Sequence, residues 1–264
     1  MPSVEKIHRI LELLRKNYKM GLTNKEISKA LKIPQSTCYR ILASLKKYNY
    51  VYQRKPDMKY FLGFIHLRFA DAVKESFDLT AICLPYLEEL HRKTEETTFL
   101  SLWNGNECVA VEVVGYIDTR IAVGNGEVMP LHCSAAGKAV LAFLPDNEKR
   151  RLLKRLDLKA YTDNTITSQH ELEKQLENIK MQGVAYNFQE FHTGINALST
   201  PIFNNRGNVI ASITVVGIAI DLDKEQLEEY ASLFLEASRE ITETIGGEFP
   251  GFENINVLEG KRER

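Results

Sequence analysis

Three adjacent residues, His132, Cys133 and Ser134, bring a base and two nucleophile types together. Such neighbours are the material of covalent catalysis, in which the base takes the nucleophile's proton. In an extended segment, however, adjacent side chains point to opposite sides, so they do not make a working pair by themselves. No Gly-x-Ser-x-Gly elbow or paired carboxylates accompany them. Glu190 and His192 supply two metal-ligand types two residues apart, with no third ligand at a matching spacing. The four cysteines, Cys38, Cys83, Cys108 and Cys133, form no CxxC pair and read as reduced small apolar residues. An enzyme acting on a small carboxylic acid through His132, Cys133 and Ser134 is therefore the alternative reading.

Two other segments point to binding. In Met129-Pro-Leu-His-Cys-Ser-Ala-Ala-Gly-Lys-Ala139, small residues open a helix. Free backbone N–H groups at a helix start attract an anion, and small side chains let it approach. Close helix–sheet packing also selects Ala and Gly, so this segment needs support from elsewhere. The second segment is Pro34-Gln-Ser-Thr-Cys-Tyr-Arg40. Gln35, Ser36, Thr37, Tyr39 and Arg40 lie at the start or on the polar face of a helix whose other face carries Cys38, Ile41, Leu42 and Leu45. Hydroxyls and amides bond phosphates and base edges, and Arg bridges a guanine edge with two bonds. That composition suits the recognition helix of a helix–turn–helix.

The elements that must position these residues follow from periodicity. Val4, Ile7, Ile10, Leu11 and Leu14 make one apolar stripe, predicting a helix over 4–18. Thr23 stands three residues before Glu26, a capping box opening a helix over 24–31. Pro34 suits the start of the third helix, over 34–48. Strand-like runs at 50–53 and 59–62 flank the loop 54–58, a hairpin with the basic residues Arg54, Lys55 and Lys59. Such a wing reaches phosphates or the minor groove.

Charge agrees with this division. Residues 1–62 hold 14 Lys and Arg against four Asp and Glu, whereas the whole chain holds 34 against 35. A basic head thus sits on an acidic body, as expected of a nucleic-acid partner at the head. The expected domains are a winged helix–turn–helix over 1–62, a linker and dimerisation helix over 63–78, a body over 79–250 and a flexible tail over 251–264. The body reads as α+β, with strands at 97–102, 108–114, 119–123, 184–188, 197–203 and 209–216. Helices are expected at 79–93, 134–143, 148–156, 168–181 and 224–245. No apolar run reaches membrane-span length and the N-terminus lacks a signal-peptide core, so a cytoplasmic protein is expected.

Four stretches resemble the IclR family of bacterial transcriptional regulators over about residues 3–248. They are IPQSTCYRILASL at 33–45, MPLHCSAAGKAVLAFLP at 129–145, YTDNTIT at 161–167, and GVAYNFQEFHTGINALSTPIF at 183–203 with GNVIASITVVG at 207–217. The resemblance implies a winged helix–turn–helix, a linker helix and a GAF-like effector domain. It further implies a double-stranded DNA operator, a homodimer or a tetramer of paired dimers, and no cofactor. The function implied is a repressor or dual regulator of a catabolic operon that senses a small, anionic metabolite. Carried over by position, the effector pocket comprises Ile121, Met129, Ala135, Ala136, Asn187, Glu190, Ile195, Ala197, Thr214 and Val216. The chain departs from the frequent family pattern at Asn187, Gln189, Asn196, Ala197 and Val216. The result is a pocket more apolar than a two- or three-carbon acid needs.

Overall fold

Helix α1 (Ser3–Lys16) buries Ile10 and Leu14 against helix α2 (Asn24–Leu31) and helix α3 (Gln35–Lys47), which contribute Ile27, Cys38, Leu42 and Leu45. In this computed structural model residues 3–76, 78–115 and 123–252 are described. The capping box at α2 forms as predicted: the Thr23 hydroxyl accepts from the Glu26 N–H, and the Glu26 carboxylate accepts from the Thr23 N–H at 2.7 Å. Lys32, left-handed at φ 54°, ends α2. The Ser28 hydroxyl closes the turn on the Ile33 carbonyl at 2.7 Å. Strands β1 (Val51–Gln53) and β2 (Tyr60–Leu62) pair antiparallel, with Gln53 opposite Tyr60. The wing is therefore a true hairpin, and its tip is residues 54–59.

The chain divides into two units, Met1–Phe77 and Asp78–Arg264. Helix α4 (Ile65–Ser76) lies in the first. Its start is fastened there: His66 Nε2 lies 2.9 Å from the Tyr50 carbonyl, and the Phe69 ring stands 5.8 Å from the Tyr50 ring.

In the second unit, helix α5 (Asp78–Thr94) precedes strands β3 (Thr97–Trp103), β4 (Cys108–Val114) and β5 (Val128–Met129). Helices α6 (Ala135–Phe143), α7 (Asp146–Leu153) and α8 (Gln169–Gln182) follow, then strands β6 (Ala185–Phe188), β7 (Ile195–Phe203) and β8 (Val209–Ile218), and helix α9 (Lys224–Thr244). The strands form one antiparallel sheet in the order β5-β4-β3-β8-β7-β6. The expected strand at 119–123 lies, except for Val123, outside the described residues, and Val123 is in no strand. The edge position is taken by β5, too short for a periodicity signal.

Helices cover both faces, which is why the central strands β3, β7 and β8 are buried along nearly their whole length. Alternation sorts the side chains. Thr98 and Thr200 face α5 and α9, donating to the carbonyls of Leu87 and Phe234 at 2.9 and 3.1 Å. Phe99, Ala197, Ser199, Thr214 and Val216 share the opposite face through their register. Helix α6 lies over that face, buried from Ala135 to Ala142. Gly137 lets it sit so close, because a Cβ there would stand 2.4 Å from the Pro130 carbonyl oxygen.

Candidate nucleic-acid interface and ligand pocket

In the first unit the polar residues of α3 fall where expected. Gln35, Ser36, Tyr39 and Arg40 are exposed and Thr37 is half-buried, while Cys38, Leu42 and Leu45 hold the helix to the core. Pro34 caps α3 without a side-chain bond, and the first intrahelical donor is the Cys38 N–H, bonded to the Pro34 carbonyl at 3.0 Å. The N–H groups of Gln35, Ser36 and Thr37 have no protein acceptor among the described residues. They add a positive helix end to the Arg40 cation, a feature composition alone does not show.

The wing differs from expectation in one residue. Lys55 is exposed and Lys59 half-buried, but the Arg54 guanidinium is already engaged. Its Nη2 donates to Asp57 at 2.5 Å, and the group stacks over the Phe61 ring, 4.6 Å from its centre. The same bond holds the Asp57 carboxyl below its ordinary value. Arg54 is thus the wing cation held in a close ion pair, whereas the charge of Lys59 acts on Glu26 and Asp57 without a direct salt bridge among the described residues.

In the second unit a cavity opens at the start of α6. The space between its lining atoms is ≈ 430 Å³, open solvent at the mouth included. Met129, Ala135, Ala136, Asn187, Ile195, Ala197, Thr214 and Val216 line it, as the family positions imply. Ile121 lies outside the described residues. Glu190 is not in the wall: its carboxylate turns to Lys138 Nζ, at 2.5 and 2.6 Å, behind the helix. Lys138 Nζ also donates to Gln175 at 2.9 Å. Burial pushes the Glu190 carboxyl up and the Lys138 ammonium down, and their mutual contact opposes both shifts.

Five wall residues were not anticipated: Phe99, Val123, Ser134, Phe191 and His192. Phe99 reaches the site only because β3 lies beside β8, which places it opposite Thr214. Phe191 and His192 stood in the family-like stretch, as two rings between Glu190 and Ile195, but nothing local assigned them a direction. Burial lowers the His192 pKa, favouring the neutral ring.

The helix start itself is set by Ser134. Its hydroxyl donates to the Pro130 carbonyl at 2.8 Å and accepts from the Gly137 N–H at 2.9 Å. The N–H groups of Ala135 and Ala136 have no protein acceptor among the described residues, and both side chains are small and buried. The catalytic alternative has no geometry to support it. His132 Nε2 lies 3.0 Å from the Lys159 carbonyl, and the Ser134 hydroxyl is committed to the cap. Burial pushes the Cys133 thiol up to about 12, which keeps it protonated and non-nucleophilic.

A winged helix–turn–helix joined to an α+β unit with a cavity at the start of α6 defines a DNA-binding regulator with a sensory domain. The chain matches the IclR helix-turn-helix domain over residues 3–55 and the family described as bacterial transcriptional regulator IclR C-terminal over residues 71–243. It belongs to the IclR family of bacterial transcriptional regulators, and is a regulator rather than an enzyme. Similar proteins include HTH-type transcriptional regulator KdgR of Escherichia coli, 28% identical over 92% of both chains. Another is HTH-type transcriptional repressor AllR of the same organism, 27% identical over 84% of this chain and 82% of that one. The crystal structure of an IclR transcriptional regulator from Alicyclobacillus acidocaldarius superposes with a TM-score of 0.78 at 27% identity, covering 93% and 99% of the two chains.

Proposed function

We propose that the protein is a cytoplasmic, ligand-responsive repressor or dual regulator of a catabolic operon. The observation that carries this reading is that one chain holds both an uncapped, polar recognition helix and a cavity at free helix N–H groups. Ser36, Thr37 and the α3 N–H groups hold phosphate, Gln35, Tyr39 and Arg40 face base edges, and the wing lysines add sequence-independent affinity. A small anionic metabolite places its negative group on the Ala135 and Ala136 N–H groups. Ligand changes DNA affinity only if it prefers one of two conformations of the assembly. The repressing sign is supported by the similarity to the HTH-type transcriptional repressor AllR.

The working species is a dimer or a pair of dimers. Phe64, Leu67 and Phe69, at and just before α4, are exposed apolar residues available for that contact. Two recognition helices then read half-sites about one helical turn apart. Selection of binding sequences from a random DNA pool by the full-length protein tests the reading. An imperfect palindrome should be enriched, and loss of enrichment in Arg40→Ala should follow. Enrichment of no sequence, or of a single unrepeated half-site, would overturn it.

A further inference from the structure

The cavity wall also restricts what the ligand can be. Most of it is hydrocarbon: Phe99, Val123, Met129, Phe191, Ile195 and Val216 supply apolar side chains. Its polar side chains are largely committed to the protein. Asn187 Nδ2 donates to the Cys133 carbonyl at 2.7 Å, and its Oδ1 accepts from the Glu190 N–H at 2.9 Å. Ser134 is spent on the helix cap. The Thr214 hydroxyl lies 2.8 Å from Ser199 Oγ, and Ser199 gives its own hydrogen to the Ile213 carbonyl at 3.0 Å. The Thr214 hydrogen is thereby directed at Ser199. Among the described side chains, what remains is one Asn187 N–H, the Thr214 lone pairs and the exposed His192 ring.

A polyhydroxylated acid entering this space would leave most of its hydroxyls unpaired against an apolar wall. Each such loss is costly, whereas a hydrocarbon body gains from leaving water. Resting on the ligand-sensing role proposed above, we infer that the effector is an acid with an apolar body, aryl or alkyl, whose anionic head sits on the start of α6. The same accounting of the described wall disfavours a sugar acid.

Hexanoate and gluconate have the same carbon count and the same carboxylate, and differ in hydroxyls. Calorimetric titration of the full-length protein with hexanoate, phenylacetate and gluconate therefore isolates the inference. Hexanoate or phenylacetate should bind at least about tenfold more tightly than gluconate, the scale of one buried hydroxyl left unpaired. Ala135→Leu, which fills the head-group position, should abolish that binding. Val216→Ser adds a hydroxyl to the wall without bulk, and should narrow the preference should Ala135→Leu not fold. Gluconate binding as tightly as hexanoate, and lost in Ala135→Leu, would overturn the apolar class while leaving the site in place. Binding that survives unchanged in a folded Ala135→Leu would instead remove the site on which the inference rests. Binding of none of the three acids would also overturn it.

Discussion

Lys138→Met is expected to destabilise the second unit by about 3–5 kcal/mol near neutral pH, the cost of leaving one partner of a buried ion pair behind. The figure follows from how completely the pair is enclosed. The Lys138 and Glu190 side chains are 0% and 6% exposed, and every donor of the ammonium has an acceptor in Gln175 or Glu190. Without the lysine, Glu190 must stay charged in a low-dielectric site or take up a proton. Burial already raises its pKa from 4.5, and losing Lys138 raises it further. A carboxyl whose folded pKa exceeds its unfolded value favours folding most below the unfolded value, and that contribution is lost as pH rises through the folded one. The variant's deficit should therefore be small at pH 4.5 and grow toward pH 7.5. Trp103, the single tryptophan, lies in β3 and reports the second unit alone in urea denaturation. Glu190→Gln in the Lys138→Met background should recover part of the loss. A deficit below about 1 kcal/mol at neutral pH, or one independent of pH, would refute the reasoning.

Gly137→Ala should cost about 1–3 kcal/mol by overpacking, because its new methyl meets the Pro130 carbonyl, and thermal unfolding checks it. Arg40→Ala should lose about 1–3 kcal/mol on selected DNA and relax one base position if Arg40 reads a base. Gel shifts on selected and scrambled DNA, with Ser36→Ala alongside as a phosphate-contact variant, separate the two roles. In a salt titration, Lys55→Ala should flatten the log K against log salt slope by about 0.9. Arg54→Ala should flatten it less, since Asp57 already holds that guanidinium. A wild-type slope in the triple variant Arg54→Ala, Lys55→Ala, Lys59→Ala would mean that the wing stays off DNA.

What was legible in the sequence was what is locally encoded. The Thr23–Glu26 capping box, the α3 apolar face and the wing all rest on short-range spacing, and they form as read. The helices expected at 63–78 and 79–93 correspond to α4 at Ile65–Ser76 and α5 at Asp78–Thr94, each within about two residues of its expected bounds. Helix α6 was placed within a residue because Ser134 caps it. The pocket's far wall was not legible, since Phe99 comes from β3 and depends on strand order. Family position alone sends Glu190 to the ligand, and only the fold shows Lys138 reaching it across 52 residues. The partner of a buried charge is a tertiary fact that no local pattern carries.

The central claim is that occupation of the cavity at α6 controls reading of DNA by α3. The direct test compares wild-type and Ala135→Leu proteins for affinity toward the selected DNA. Each is measured with and without any acid that raises the wild-type melting temperature in a screen of sugar, aromatic and short-chain acids. The wild-type affinity should change by at least about fivefold, the low end of measured coupling between sites. The variant should bind DNA like the empty wild type and not respond. A variant that answers the acid at the wild-type concentration would place the sensing site elsewhere and contradict the account.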